Sequence, residues 1–166
     1  MFTDGEFVTK PLAKPAIDVD EPKIAYTHLL SDSDIGDLRG IDTTGHMFQR
    51  WIAKRSDLRV TAVGDHIFAT ALHAHSNRSR IDWRSDYDSL EYEPVGVPSE
   101  VRAGVLAYLR SFGLIFGAFD FAVDKSGFHW FLECNPNGQW GFIEYATGQP
   151  IAAAIAAELT RGPHHG

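Results

Sequence analysis

Cysteine is almost missing from this chain, since Cys134 is the only one among 166 residues. A single thiol excludes an intrachain disulfide and a cysteine-rich zinc site, and it is typical of a protein from a reducing compartment. Basic residues are also few: 15 Lys and Arg stand against 22 Asp and Glu, for a net charge of -7. Because nucleic-acid binding normally requires a concentrated basic surface, this composition argues against a nucleic-acid partner.

Long hydrophobic runs are absent as well. The longest one, at residues 151–159, is too short to cross a bilayer and contains Glu158. The first six residues, Met-Phe-Thr-Asp-Gly-Glu, have neither the basic region nor the apolar core of a signal peptide. The sequence therefore predicts a cytoplasmic protein with no membrane segment and with material for one domain.

Patterns of apolar residues predict an α+β fold with an antiparallel sheet and flanking helices. Strands are predicted at residues 7–12, 23–30, 47–52, 58–63, 67–72, 114–124 and 128–134. Gly64-Asp65 is expected to form a tight turn, so that the three strands between residues 47 and 72 form an antiparallel meander. Residues 31–45 are interpreted as a connection with at most a short helix, and residues 76–98 as a long polar loop.

Two helices are predicted in the second half of the chain. The first begins after a Ser99 cap and ends at Gly113, with an apolar face that includes Val105, Leu109 and Phe112. The second covers residues 150–159, with Ile151, Ile155 and Leu159 spaced four apart on its buried side.

The last two predicted strands bring carboxylates together. If Ser126-Gly127 is a two-residue turn, Asp120 lies opposite Glu133, and Asn135 projects from the same face. Neighbouring carboxylates repel each other unless a cation lies between them, and Mg²⁺ prefers such oxygen ligands. The alternative is a solvated polar face on a surface hairpin, and the register alone leaves both interpretations open.

The opposite face of this hairpin is apolar and is predicted to be core. It collects six side chains, which are Phe119, Phe121, Val123, Phe128, Trp130 and Leu132. Cys134 alternates onto the same side, so we expect a buried thiol that does not act as a nucleophile.

The segments Gly117-Ala-Phe-Asp120 and Phe131-Leu-Glu-Cys-Asn-Pro-Asn-Gly-Gln-Trp140 resemble the C-terminal signature of ATP-grasp enzymes. The extension Asn-Gly-Gln-Trp resembles the branch that matures ribosomal peptides, the microviridin or graspetide ligases. The resemblance implies an ATP-grasp C-terminal lobe, with ATP and Mg²⁺ as cofactors and with Asp120, Glu133 and Asn135 as the metal ligands. It covers the chain in order, so residues 1–166 are expected to be a single, partial ATP-grasp domain.

The same resemblance implies which residues contact the nucleotide. Val8-Thr-Lys-Pro11 is similar to the strand whose lysine, here Lys10, holds the phosphates. Phe48-Gln-Arg-Trp-Ile52 is similar to the hinge beside adenine, which assigns Gln49, Arg50 and Trp51 to it, the last two through their main chains. Asp57 falls at the position of a nucleotide-contacting aspartate. For Lys10 the alternative is a solvated residue at a strand end, and for Gln49 and Trp51 an ordinary strand position.

Two arginines are implied to be catalytic. Leu58-Arg-Val-Thr-Ala-Val-Gly-Asp65 resembles the strand that directs an arginine at the reaction centre, here Arg59. Ile81-Asp-Trp-Arg-Ser-Asp86 resembles a loop with a second phosphate-facing arginine, here Arg84. For Arg59 an alternative stays open, because a buried guanidinium requires an anionic partner and an internal aspartate could be that partner.

The implied activity is an ATP-dependent ligase that activates a carboxylate as an acyl phosphate, which an amine or alcohol then attacks. The implied partner is a ribosomal precursor peptide that acquires ester or amide crosslinks. ATP-grasp ligases usually have further sequence before the strand of Lys10, so an N-terminal portion is expected in cis or in trans, and a homodimer is possible. The alternatives are a ligase that adds a free amino acid and a truncated, non-catalytic ATP-grasp binding module.

Overall fold

A computed structural model describes residues 5–12, 16–17, 23–39, 41 and 45–161 of the chain. The chain forms two compact units, one from residues 1–53 and 74–89 and the other from residues 54–73 and 90–166. Within the described residues no helix is long and apolar enough to span a membrane. The mixed architecture, with antiparallel sheets and flanking helices, confirms the predicted fold class.

The first unit contains small sheets and short helices. Its strands are β1 (Phe7–Pro11), β2 (Ala16–Ile17), β3 (Lys23–Ile24), β4 (His28–Leu29) and β5 (His46–Arg50). Its helices are α1 (Asp32–Gly36) and α2 (Asn77–Ile81), followed by the 3-10 turns Trp83–Ser85 and Tyr87–Ser89. β4, β1 and β5 form one antiparallel sheet in that order, while β2 pairs with β3.

Three sequence predictions about this unit need correction. The predicted strand at 23–30 is two short strands, β3 and β4. The predicted meander is wrong at its first strand, because β5 pairs with β1. No tight turn follows β5, so the chain does not fold β5 back onto the next strand. The predicted loop at 76–98 contains α2, both 3-10 turns and a strand. α2 and the first 3-10 turn begin at the polar caps Ser76 and Asp82 and not at an apolar repeat.

The second unit is built on a five-stranded sheet. Its strands are β6 (Lys54–Val63), β7 (His66–Ala74), β8 (Leu90–Pro94), β9 (Phe116–Asp124) and β10 (His129–Asn135), in the order β10-β9-β6-β7-β8. Its helices are α3 (Ser99–Phe112), α4 (Gly141–Thr147) and α5 (Ile151–Arg161). As predicted, β6 and β7 form a hairpin around Gly64, which adopts a positive φ of 55°.

The two faces of this sheet differ in chemistry because side chains alternate along each strand. One face packs its apolar residues against Val105 and Leu109 of α3 to form the core. The other face has Asp57, Arg59 and Thr61 of β6 in line, beside Asp120 of β9. All four are buried. This unit therefore holds a hydrophobic core and a buried polar row on opposite sides of one sheet.

The helix predictions were right in position but wrong in some contacts. α3 begins with Pro98 at its N-cap position, and Ser99 is its first residue instead of its cap. Phe112 is 64% exposed, and Tyr108 packs its ring edge-on against Phe119 in the core instead. On α5 the buried positions are Ile151, Ala154 and Glu158, so the predicted face is rotated and Leu159 is 78% exposed. Glu158 is buried because it packs over Gly64 and pairs with Arg161.

Candidate functional site

The hairpin of β9 and β10 closes through a three-residue turn held by Asp124. The main chain of Asp124 donates to the carbonyl of Phe128 at 3.1 Å, and its Oδ1 accepts from the Ser126 N–H and hydroxyl at 2.8 and 2.6 Å. Gly127 supplies the positive φ, 91°, that the turn requires. The predicted two-residue turn at Ser126-Gly127 is therefore wrong, and His129 pairs with Val123.

A β-bulge restores the predicted register further along the hairpin. Phe131 pairs with Phe121, but the register shifts by one residue before Glu133, which pairs with Asp120. The extra residue in β10 is Leu132, and the shift offsets the longer turn. Asp120 and Glu133 are thus directly opposite each other, as predicted, and directly opposite side chains have Cβ atoms about 4.5–5.5 Å apart.

The longer turn also changes which aromatic residues of β10 meet the core. Phe131 contacts Phe121 at the edge of the core, with a ring-centroid separation of 5.6 Å, and is itself 49% exposed. Phe128 and Trp130, which were predicted to be core, are 57% and 44% exposed. Before the bulge the register is offset by one residue, so Trp130 turns away from the core and its Nε1 donates to Asp124 Oδ2 at 2.9 Å.

Cys134 lies after the bulge and pairs with Phe119 on the core side, as predicted. It is half-buried instead of fully buried. Burial raises the pKa of its thiol, so the protonated form is favoured at neutral pH. This supports the prediction that Cys134 is not a nucleophile.

Arg59 connects the carboxylate pair to the loop that follows β10. Its Nη1 donates to Asp120 Oδ1 at 2.8 Å, with both side chains only 5% exposed. Its Nη2 donates to the main-chain carbonyl of Gln139 at 2.9 Å. Asp120 is therefore an internal anionic partner of Arg59.

The loop after β10 lies directly on the polar face. A Cβ atom at Gly138 would stand 2.5 Å from Ala118 Cβ and 2.9 Å from Arg59 Nη2, so only glycine fits there. Asn135 starts the loop, and its Oδ1 accepts the Asn137 N–H at 2.9 Å. One acceptor position of Asn135 is thus used in the turn, which fixes the direction of the amide.

The donor set of this face suits a hard cation. Asp120, Glu133 and Asn135 offer two carboxylates and an amide oxygen, and Asn135 pairs with Ala118, two residues along β9 from Asp120. Mg²⁺ usually takes one or two protein carboxylates and completes its shell with water and phosphate oxygens. Within the described part of the chain no three His, Cys, Asp or Glu side chains cluster as metal ligands, so a metal here would depend on such outside oxygens.

Asp57 lies two residues before Arg59 and shares its face of β6. Its Oδ1 accepts from Lys54 Nζ at 2.7 Å, and the side chains of Asp57 and Lys54 are only 4% and 9% exposed. A buried pair of this kind requires good geometry to offset the desolvation of both charges. Lys54 was not singled out from the sequence, because residues three apart on a regular strand project from opposite faces. The register shift between Lys54 and Ser56 changes that alternation.

The remaining predicted residues belong to the first unit. β1 and β5 pair Val8 with Gln49 and Lys10 with Met47, so Lys10 and Gln49 project from the same face of that sheet. The Trp51 N–H donates to the carbonyl of Glu6 at 2.8 Å and is therefore already engaged.

Arg50 has a different main-chain environment from Trp51. It pairs with Phe7, and β5 is the edge strand of its sheet. Because paired residues alternate in an antiparallel ladder, the main-chain groups of Arg50 point toward that edge. The hinge role implied by the resemblance therefore fits the main chain of Arg50 better than the N–H of Trp51.

Arg84 is held by a neighbour that sequence reasoning missed. Its Nε donates to Asp82 Oδ1 at 3.1 Å, and its guanidinium lies 5.5 Å from the centroid of the Trp83 ring. Asp82 is buried and also accepts from the N–H and hydroxyl of Thr27. Burial raises the pKa of Asp82, but the charge of Arg84 and these hydrogen bonds outweigh it and leave the pKa below its ordinary value.

Solved ATP-grasp ligases have a fold similar to that of this chain. A RiPP-associated ATP-grasp ligase from Chryseobacterium gregarium, in complex with ADP and a leader and core peptide, is 23% identical with a TM-score of 0.85, and the match covers 95% of this chain and 49% of that chain. The macrocyclase MdnC from Microcystis aeruginosa MRC, bound with the precursor peptide MdnA, is 31% identical with a TM-score of 0.80 over 95% of this chain and 47% of that chain. The ligase PsnB, complexed with a phosphomimetic variant of its minimal precursor, Mg and ADP, is 20% identical with a TM-score of 0.69 over 93% of this chain and 47% of that chain.

The chain thus spans about half the length of these ligases. No protein-family model and no curated protein matches it. The family indicated by residues 117–140 is nevertheless confirmed by the likeness in fold and, to MdnC, in sequence. The chain therefore has an ATP-grasp fold and is similar to the RiPP-associated ATP-grasp ligases.

Proposed function

We propose that this chain contributes the nucleotide and magnesium sites of an ATP-dependent ligase that crosslinks side chains of a ribosomal precursor peptide. The observation that carries the proposal is the Asp120–Glu133 cross-strand pair, with Arg59 and the Asn135–Gln139 loop built around it. The similar ligases form complexes with ADP, Mg or precursor peptides.

The chemistry supplied by ATP with Mg²⁺ would be transfer of the terminal phosphoryl group to a substrate carboxylate, with release of ADP. An amine or hydroxyl of the peptide then bonds to the acyl carbon, its proton leaves, and phosphate departs. The product is an amide or an ester, and no nucleophilic side chain of the protein takes part.

The residues of the second unit would hold the metal. Asp120, Glu133 and Asn135 would supply oxygen ligands to Mg²⁺, while Arg59 orients Asp120 and neutralises part of its charge. A fixed arrangement of charges costs no reorganisation when negative charge moves during phosphoryl transfer. Asp57 would contact the nucleotide with its position set by Lys54.

The residues of the first unit would serve the nucleotide. Lys10 and Gln49 share a sheet face, and the main chain of Arg50 has the edge position suited to a base. Arg84 would stabilise phosphate charge, since a guanidinium presents several N–H donors to phosphate oxygens.

The first test is Mg²⁺-dependent binding of ATP to the chain by calorimetry. We expect Asp120→Asn and Glu133→Gln each to weaken binding at saturating Mg²⁺ by about tenfold or more, because each removes one hard anionic ligand. Glu100→Gln, which removes an exposed carboxylate from the start of α3, is the matched control. Equal affinities for all four proteins would contradict the metal assignment.

The peptide substrate requires a second experiment. The complete ligase that contains this chain is incubated with ATP and a precursor peptide encoded beside it, and the product is weighed by mass spectrometry. Each ester or amide ring removes one water, and mild alkaline hydrolysis reverses the ester alone. An unchanged peptide mass, together with consumption of ATP in the presence of a free amino acid, would favour an amino-acid-adding ligase.

A further inference from the structure

We infer that Asp82 is a positioning residue that fixes the guanidinium of Arg84 for phosphate binding. The inference rests on the proposed function, because it assumes that the phosphates of a nucleotide are what Arg84 meets. In this role Asp82 acts through Arg84 and does not itself contact the nucleotide.

The carboxylate of Asp82 accepts four hydrogen bonds from residues of the first unit. Its Oδ2 accepts from the main-chain N–H of Thr27 at 3.1 Å and from the Thr27 hydroxyl at 2.9 Å. Its Oδ1 accepts from the main-chain N–H of Arg84 at 3.2 Å and from Arg84 Nε at 3.1 Å. A carboxylate has about four acceptor positions, so Asp82 is saturated and has none left for a metal or a substrate.

The guanidinium of Arg84 is fixed in two directions. Asp82 accepts the Nε–H of Arg84, which limits rotation of the guanidinium within its own plane. The buried ring of Trp83 packs against the guanidinium, with its centroid 5.5 Å from Arg84 Cζ. A flexible arginine loses side-chain entropy when it binds a ligand, and prior fixation reduces that loss. The side chain is still 38% exposed, so a ligand can reach it.

Asp82 also connects this arginine to a distant segment. Thr27 lies 55 positions earlier, between β3 and β4, and its two hydrogen bonds anchor the carboxylate from the side opposite Arg84. Asp82 additionally caps the 3-10 turn that carries Arg84. The direction of the guanidinium is therefore set by a buried, doubly anchored group and not by local loop geometry alone.

Charge compensation alone and positioning predict opposite effects of removing the Asp82 charge on phosphate binding. If Asp82 only offsets part of the charge of Arg84, Asp82→Asn removes that offset and phosphate binding becomes tighter. If Asp82 positions Arg84, the same substitution weakens the charge-assisted bond to Nε and phosphate binding becomes weaker.

The experiment measures MgATP and adenosine affinities by calorimetry for the wild-type chain, Asp82→Asn and Asp88→Asn. Asp88 is an exposed carboxylate of the same segment, so Asp88→Asn makes the same charge change without touching Arg84. We expect Asp82→Asn to weaken MgATP binding about tenfold, with adenosine binding changed less than about twofold, and Asp88→Asn to change neither. Unchanged or tighter MgATP binding by Asp82→Asn would overturn the inference while leaving the proposed function intact.

Two further measurements cover a loss of folding and a failure of the proposed function. In the wild-type chain the Arg84 Nε–H signal, identified by its loss in Arg84→Lys, is expected to exchange slowly with solvent at neutral pH; rapid exchange would contradict the fixation. Arg84→Lys keeps the charge but not the Nε contact, so it too is expected to weaken MgATP binding about tenfold. A wild-type chain that binds no MgATP at all would overturn the proposed function and this inference with it.

Discussion

Gly138→Ala tests whether the loop after β10 is built as closely on the polar face as the geometry indicates. The added Cβ would stand 2.5 Å from Ala118 Cβ, 2.9 Å from Arg59 Nη2 and 3.2 Å from the Asn135 carbonyl oxygen. Carbon atoms pack best at about 3.5–4.0 Å, so the loop must retreat by roughly 1–1.5 Å. Ala118 belongs to the central strand β9 and is fully buried, so it cannot yield.

The cost is set by the cheaper of two responses. Keeping the loop in place leaves an overpacked contact, which costs about 1–3 kcal/mol. Moving it stretches the 2.9 Å bond from Arg59 Nη2 to the Gln139 carbonyl, and losing a hydrogen bond to a charged group costs about 1.5–3 kcal/mol. We therefore expect Gly138→Ala to lower the free energy of unfolding by about 1–3 kcal/mol.

The assay is urea unfolding followed by tryptophan fluorescence, with MgATP affinity measured in parallel. Gly141→Ala is the matched control, because no atom lies within 4 Å of its added Cβ and it starts α4; its effect is expected to stay below about 1 kcal/mol. Adding Ala118→Gly to Gly138→Ala removes the closest contact and is expected to recover part of the MgATP affinity. If Gly138→Ala is as stable as Gly141→Ala, the close approach of the loop is refuted.

Three other predictions concern buried charges and the thiol. Arg59→Met should cost about 3–5 kcal/mol in urea unfolding because it leaves the Asp120 carboxylate buried without this partner, whereas Arg59→Met combined with Asp120→Leu should lie closer to wild type; equal losses in both would argue against the pair. The pKa of Asp82 is lower in the folded chain than in the unfolded chain, where it is about 4. The ionised Asp82 therefore stabilises the folded chain above about pH 4, and this stabilisation is lost as the pH falls through the folded-state pKa. The difference in urea midpoint between wild type and Asp82→Asn should be larger at pH 7 than at pH 3, and a difference that does not change with pH would contradict this prediction. Cys134 has a raised pKa from burial, so iodoacetamide at pH 8 should alkylate it more slowly in the folded chain than in urea, as followed by mass spectrometry; equal rates would show that burial does not protect the thiol.

The pairing of Asp120 with Glu133 was predicted correctly from the sequence, but the turn from which it was predicted was wrong. Alternation along β9 and β10 put Asp120 opposite Glu133, and the predicted two-residue turn gave that pairing directly. The actual turn has three residues because Asp124 collects the N–H groups of Ser126 and Phe128, and the bulge at Leu132 compensates. The apolar pattern of β9 limits the register after the bulge, whereas no sequence signal marked the bulge itself.

The wrong prediction that Phe128 and Trp130 are core residues also results from the predicted two-residue turn. Trp130 and Phe128 are large and apolar, so a periodic pattern assigns them to the buried face. The offset before the bulge turns Phe131 toward Phe121 instead, although Phe131 is still 49% exposed, and Trp130 donates its indole N–H to Asp124. A shift of one residue exchanges the two faces of a strand, which is why a small error in the turn moved two aromatic residues.

Pairing between distant segments was the least predictable part of the fold. Gly64 marked the hairpin of β6 and β7 because a tight turn needs its positive φ. No such turn joins β5 to its partner β1, which lies more than 30 residues earlier. The local pattern of residues therefore predicted that β5 is a strand but not which strand it pairs with. The contact of Asp82 with Thr27 was hidden for the same reason, since it spans 55 positions.

Arg59 explains why the carboxylates and the loop belong to one arrangement. The buried guanidinium uses both of its terminal nitrogens: one Nη donates to Asp120 and the other to the Gln139 carbonyl. The first contact sets an opposite charge beside the Asp120 carboxylate in a position that is only 4% exposed. The second draws the loop so close that residue 138 must be glycine. Arg59 therefore connects two parts of the signature that lie about 20 residues apart, Asp120 on β9 and the Asn-Gly-Gln segment after β10, and a lysine, with a single amine, could not reproduce both contacts in this geometry.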